Sequence, residues 1–396
     1  MNELLVCLAI VLSGTSGIVA LAAGVRPISD RIFAGQMAIA AGLGWVAAIR
    51  VLLGLTTRAP ILRWFVPGGS LHLNVDALSA LFLLSIFLLG SLGALYGTAY
   101  FSVAAKRQQA VRLRVYYGLV VAGMALLVTA KNSLLFLVGW EVMALAAFLA
   151  LAIEDHKKPV REAGLVYLVA TRFGTLCIIA MFACLRVQVK SFSLEVSGLD
   201  PYSSLATATF VLALVGFGLK AGIMPLHLWL PGAHANAPTH VSALMSGVLI
   251  KMGIYGILRL TSFYGAIPSW WAHLVLVLGL VSALLGVAFA LGQHDFKRLL
   301  AYHSVENIGI ILLGIGIGLI GRAKGEPLLM ALGFAGALLH VLNHGLFKAL
   351  LFFGAGAVIA TTGTHDLERY GALSRKLPHT ALTFLIGAIA IAGLPP

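Results

Sequence analysis

The stretch that decides the fold is residues 216–259, GFGLKAGIMPLHLWLPGAHANAPTHVSALMSGVLIKMGIYGILR. It is strongly apolar, yet it holds Lys220, Lys251, three histidines and three prolines. A lysine in hydrophobic surroundings is costly, and a helix interrupted at Pro225 frees backbone groups that need partners. In a membrane protein both features mark a functional site.

The rest of the chain supports a membrane setting. Of 396 residues, 60% are apolar and 10% charged, where soluble domains carry about 25% charge. The net charge of +13 falls on no solvated basic domain, so nucleic-acid binding is excluded. The excess instead orients loops toward an anionic cytoplasmic leaflet.

Hydrophobic runs of about 20 residues, each enough to cross ~30 Å of hydrocarbon, recur throughout. The expected spans are 3–25, 32–55, 74–101, 113–130, 133–153, 163–185, 206–235 (broken at Pro225 and Pro231), 239–261, 271–292, 298–320, 328–361 and 379–396. The fold class is therefore an all-α polytopic membrane protein with about twelve helices. The span at 328–361 is too long to cross straight and must tilt, bend or protrude. The N-terminal MNELLVCLAIVLSG lacks a basic n-region and reads as a first membrane helix. Loops after odd-numbered helices carry fourteen basic residues, including Arg114 and Lys297; those after even-numbered ones carry eight, including Arg58, Arg63 and Lys131. The positive-inside rule then puts the N-terminus outside, in the periplasm of a prokaryotic inner membrane.

Five basic residues fall outside loops: Arg50, Arg172, Lys220, Lys251 and Lys348. Arg50, near a helix end, can snorkel. Glu141, in FLVGWEVMALAAFL, lies eight residues into its span; an ionised carboxylate there needs a cation or a proton. Arg172 is a structural partner for it, and Lys220 a functional one. Lysine suits proton transfer better than arginine because it can lose its proton when desolvated. His340, His344 and Lys348 recur at i, i+4, i+8 and form one stripe. His303, Glu306 and Asn307 share a face in LLAYHSVENIGIILL, as a polar seam rather than a metal pair.

His227, His234 and His240 flank prolines without HExxH spacing, so a zinc site is not expected. Cys7, Cys177 and Cys184 read as buried, inert thiols. There is no dinucleotide fingerprint, Walker loop, haem motif or iron–sulfur cysteine pattern, so no cofactor is expected in this chain. Runs such as GIGIGLIG are helix-packing surfaces. Residues 379–396 enter the membrane and stop at Pro395-Pro396; a helix ending there would leave carbonyls unsatisfied, which implies a continuing polypeptide or a partner chain. Ala221-Gly222-Ile223-Met224-Pro225 also echoes Ala392-Gly393-Leu394-Pro395-Pro396, as two broken helices in related halves would.

PLHLWLPGAHANAPTHVSALMSGVLIKMGIYGILR resembles the signature of the antiporter-like membrane subunits found in respiratory complex I, multi-subunit Na+/H+ antiporters and membrane-bound [NiFe] hydrogenases. HDFKRLLAYHSVENIGIILLGIG, LNHGLFKALLFFGAG and IAGLPP look most like the hydrogenase-4 component B and formate hydrogenlyase branch. The resemblance covers residues 112–396 well and the first three helices (1–111) by pattern. It implies a bundle of about fourteen helices around two inverted five-helix repeats, here about 112–262 and an incomplete 270–396. By motif match, Glu141, Lys220, Lys251, His344 and Lys348 take the family's proton-carrying positions, with Arg172, His303, Glu306 and His340 in support. The broken helices fall at Pro225 and at Pro395-Pro396. The family's second-half terminal acid or lysine lies just beyond that ending, so the exit pathway in this chain is incomplete.

The implied function is proton (or Na+) translocation in the membrane arm of a hydrogenase or formate hydrogenlyase-like complex. Redox chemistry would reside in partners, namely other membrane subunits and a peripheral [NiFe] hydrogenase or related arm. The alternatives are a subunit of an Na+/H+ antiporter or of NADH-quinone oxidoreductase, and a non-conducting scaffold for a redox module.

Overall fold

The computed structural model describes residues 1–56, 62–64 and 66–394. Arg58, Pro395, Pro396 and the Arg63 side chain lie outside the described residues, and with them the second helix break. Among the described residues eleven helices are long and apolar enough to cross a membrane, and Pro378–Ile391 is a shorter apolar one. The chain is a multi-pass membrane protein, with the twelfth expected span too short to count by that measure. The one strand pairing among the described residues is antiparallel, Leu62–Arg63 with Ser70–Leu71.

The chain divides into two units. The first comprises Met1–Gly164 and Leu185–Val196. It holds α1 (Asn2–Ala22), α2 (Pro27–Leu52), α3 (Ala77–Tyr100), α4 (Val103–Thr129) and α5 (Ser133–Leu151). Local chemistry starts these helices. The Asp76 side chain accepts from Ser79 N, Ser102 from Ala105 N, and Asn132 from Leu134 N and Leu135 N, each satisfying an amide that the first turn leaves open. Pro27 opens α2, where its missing N–H costs nothing. Helix α4 begins ten residues earlier than expected, because Ser102 caps it, and Arg107 interrupts it at φ 44°.

That early start changes the loop tally. Arg114 is inside α4 and buried; its Nη1 donates to Ser29 Oγ at 2.7 Å and its Nη2 to Asp30 Oδ1. Lys131 is buried and donates to Asp76 at 2.6 Å. Arg50 does not simply snorkel: its Nε donates to Asn2 Oδ1 at 2.9 Å, tying α2 to the start of α1. These side chains are paired internally, so burial rather than loop hydration accounts for them.

The second unit comprises Leu165–Cys184 and Ser197–Pro396. Its elements are the middle of α6 (Lys158–Val189), α7 (Ser204–Ala221), α8 (Trp229–Asn236), α9 (Thr239–Ser262), α10 (Ser269–Leu291), α11 (Phe296–Lys324), α12 (Pro327–Thr362) and α13 (Pro378–Ile391). At 36 residues α12 is about 54 Å long, far beyond a ~30 Å hydrocarbon core. Glycines let helices touch: a Cβ on Gly309 of α11 would stand 2.3 Å from Ala283 N of α10, closer than any side chain tolerates, so only glycine permits this approach.

The irregular segment between α7 and α8 includes Pro225 and opens at Gly222 (φ +75°), because the left-handed conformation that ends α7 suits glycine. Two expectations are corrected here. Pro231 does not break a helix; it sits in the first turn of α8, where proline is tolerated. The cysteines are free but not buried: Cys7 is exposed, Cys177 and Cys184 are half-buried.

Candidate ion-translocation site

The site grows from the break after α7. Helix α7 is capped by Ser203, whose side chain accepts from Ala206 N, and it ends at Ala221, one residue past Lys220. Lys220 is 2% exposed. Its Nζ donates to Tyr167 Oη of α6 at 2.9 Å and lies 5.1 Å from that ring's centroid. The ring packs edge-on against Trp229 at 5.1 Å, and Trp229 Nε1 donates to Leu219 O at 2.7 Å. The irregular segment is pinned from α10 as well, since Met224 N donates to Ser282 Oγ at 3.0 Å. Non-helical backbone at membrane depth requires such partners.

Helix α9 carries a π turn at Met245–Leu249, with Ile250 N donating to Met245 O at 3.1 Å. Lys251 follows directly. It is fully buried, and its Nζ donates to Ser246 O at 3.2 Å and Gly247 O at 2.6 Å. Ser246 Oγ and Ser304 Oγ of α11 share a 2.7 Å hydrogen bond, linking the turn to its neighbour.

On α12 the His340 and His344 rings stack at 6.2 Å with 4° between their planes. His344 and Lys348 are fully buried. Among the described residues neither ring nitrogen of His344 and not Lys348 Nζ has a hydrogen-bond partner. His340 Nε2 meets Asn307 Oδ1 of α11 at 2.9 Å, and His303 Nδ1 meets Glu306 Oε2 at 2.5 Å. The seam and the stripe thus meet through Asn307. Buried titratable groups along neighbouring helices can hold and exchange protons where water has little access.

Glu141 is half-buried in the middle of α5 and belongs to the first unit, whereas Lys220, Lys251, His344 and Lys348 belong to the second. Arg172 is half-buried on α6, also in the second unit. His227, His234 and His240 are all buried.

Sequence reasoning missed several participants. Lys297 was expected in a loop, but it is 2% exposed in the first turn of α11 and donates to Ala237 O. The cap at Asp295, whose side chain accepts from Arg298 N at 2.8 Å, is a signal that the helix starts there. Tyr167 and Ser282 had no signal, since their partners are remote in sequence.

The family described as NADH:quinone oxidoreductase/Mrp antiporter, TM, matches residues 130–396. Hydrogenase-4 component B of Escherichia coli (strain K12) is 44% identical over 335 residues, 83% of this chain and 49% of that protein. Formate hydrogenlyase subunit 3 of the same organism is 36% identical over 378 residues, 92% of this chain and 60% of that protein. The chain thus spans about half to three-fifths of these relatives. Among solved structures, the Mrp complex from Dietzia sp. DQ12-45-1b superposes with a TM-score of 0.83 at 26% identity, covering 100% of this chain and 42% of that one. With two-thirds of its length matched to one family, the chain belongs to the NADH:quinone oxidoreductase/Mrp antiporter transmembrane family.

Proposed function

We propose that this chain is a proton-translocating membrane subunit of a redox-driven complex of the hydrogenase-4 or formate hydrogenlyase type. The observation that carries this reading is the set of buried Lys220, Lys251, His344 and Lys348 with half-buried His340, five titratable side chains on α7, α9 and α12. A scaffold has no need of ammonium and imidazole groups at such depth, where each costs several kcal/mol. Identity to hydrogenase-4 component B and formate hydrogenlyase subunit 3 favours that branch.

In this reading a proton enters from the cytoplasm toward Lys220. The charge on Glu141 governs how firmly Lys220 holds it. Lys251 receives it next, and His344 and Lys348 carry it along α12. Energy comes from electron transfer in a peripheral [NiFe] hydrogenase or related arm, which acts by changing the charge on Glu141. Loops after odd-numbered spans face the cytoplasm and the N-terminus faces outward; removing the buried Arg114, Lys131 and Lys297 from the loop tally leaves the charge bias in the same direction.

The superposition on an Mrp complex supports a second reading, a subunit of an Na+/H+ antiporter. Both are tested in the whole complex reconstituted into vesicles, with Glu141→Gln and Lys220→Met. Loss of electron-driven proton uptake in both variants, with hydrogenase activity retained, is expected. Unchanged pumping in both would overturn the proton-carrying roles and leave a scaffold. Sodium uptake driven by a pH gradient alone, without electron flow, would favour the antiporter.

A further inference from the structure

Asn307 is 1% exposed on α11. Its Nδ2 donates to His303 O at 2.7 Å, one turn back. That bond uses the donor end of the amide and turns Oδ1 toward His340 Nε2, 2.9 Å away. The reverse orientation would set an amide oxygen against a carbonyl oxygen, so the hydrogen-bond chemistry selects the first. An amide oxygen only accepts. The hydrogen in the His340 contact therefore belongs to the imidazole: the neutral ring carries it on Nε2 and offers Nδ1 as acceptor.

Beyond Asn307 lies a carboxylate–imidazole pair, Glu306 with His303. Such a pair exchanges a proton readily. His340, stacked on His344, begins the row that leads to Lys348. Between pair and row stands an amide, which neither gains nor loses a proton near neutral pH. The charged groups facing His340 are Lys251 of α9 and Glu306 of α11.

We infer that Asn307 is a positioning residue that fixes His340 in its Nε2–H form and separates the His303–Glu306 pair from the His340–His344–Lys348 row. The pair then acts on the row through its charge and not by passing protons to it. The separation has meaning only if the row conducts, as proposed above; the ring's tautomer does not depend on that.

The test uses the whole complex in lipid with 15N- and 13C-labelled histidine. The His340 signal, identified by its loss in His340→Gln, is expected to report Nε2–H in the unaltered protein. Asn307→Leu is expected to give a mixture of tautomers, and Asn307→Gln to restore the single form. Asn307→Asp, nearly isosteric, places an exchangeable carboxylate between pair and row. It is expected to raise passive proton leak through the resting complex at least about tenfold. A His340 ring found as Nδ1–H, or unaltered by Asn307→Leu, overturns the positioning role. If the leucine variant does not fold, Asn307→Ala, which also removes the acceptor, is read in its place. A tautomer as expected with no added leak in Asn307→Asp overturns the separation alone. Normal pumping in Glu141→Gln and Lys220→Met would sink the transport reading while leaving the tautomer result standing.

Discussion

Lys251 Nζ lies 2.6 Å from the carbonyl oxygen of Gly247, four residues back along its own helix. The π turn at Met245–Leu249 shifts backbone pairing by one residue, and the lysine side chain folds onto carbonyls beside that shift. Lys251 thus has a structural partner as well as a proposed carrier role, and the two separate by substitution. Lys251→Met keeps the bulk. It forfeits a charged hydrogen bond of about 1.5–3 kcal/mol but removes a costly buried ammonium. Thermal unfolding is expected to change by less than about 1 kcal/mol, while proton uptake by the complex falls to background.

Tyr167→Phe tests the partner of Lys220. The ring, its contact with Trp229 and its face toward the ammonium persist; only the hydroxyl that accepts from Nζ is lost. A loss of about 1.4 kcal/mol in a step that depends on Lys220 corresponds to a roughly tenfold slower turnover. Proton uptake rates in vesicles check this, and a rate within twofold of the unaltered complex would show that the hydroxyl is dispensable.

Ser282→Ala removes the acceptor for Met224 N in the irregular segment. A buried N–H left without a partner costs about 1–3 kcal/mol. The expected result is a lower midpoint in thermal unfolding, with Ser282→Thr retaining most of the stability because its hydroxyl can still accept.

Asp30 and Arg114, which are not among the proposed carriers, offer a comparison. They are buried together, and Asp30 Oδ2 also accepts from Val103 N at 3.3 Å. Asp30→Asn leaves the guanidinium buried without its counter-ion and is expected to cost about 3–5 kcal/mol. Transport per folded molecule should be unchanged, measured as uptake normalised to complex that survives size-exclusion chromatography.

Most of the helices were legible in the sequence because membrane spans announce themselves by length and apolarity. So were Lys220, Lys251 and the His340–His344–Lys348 stripe, since charge in an apolar run is conspicuous and a spacing of four is local. What stayed hidden depended on contacts between remote segments. Arg114 and Lys297 looked like loop charges because their burial comes from Asp30 and Ala237, 84 and 60 residues away. Pro225 marks the interrupted segment, but the conformational freedom that ends α7 is that of Gly222. The cysteines looked buried because their neighbours in sequence are apolar, which in a membrane span says little about which face is covered.

The break at Gly222 has an electrical side. Ending α7 there places Lys220 in the helix's last turn, beside its carboxyl terminus and buried. Aligned peptide dipoles leave about half a negative elementary charge at such an end. A continuous helix would carry that pole away to the membrane surface. Here it stays beside the ammonium as a permanent counter-charge, one that no protonation event can remove. A cation at Lys220 always has this attraction to leave behind, so the break sets a floor under how tightly the site holds its charge.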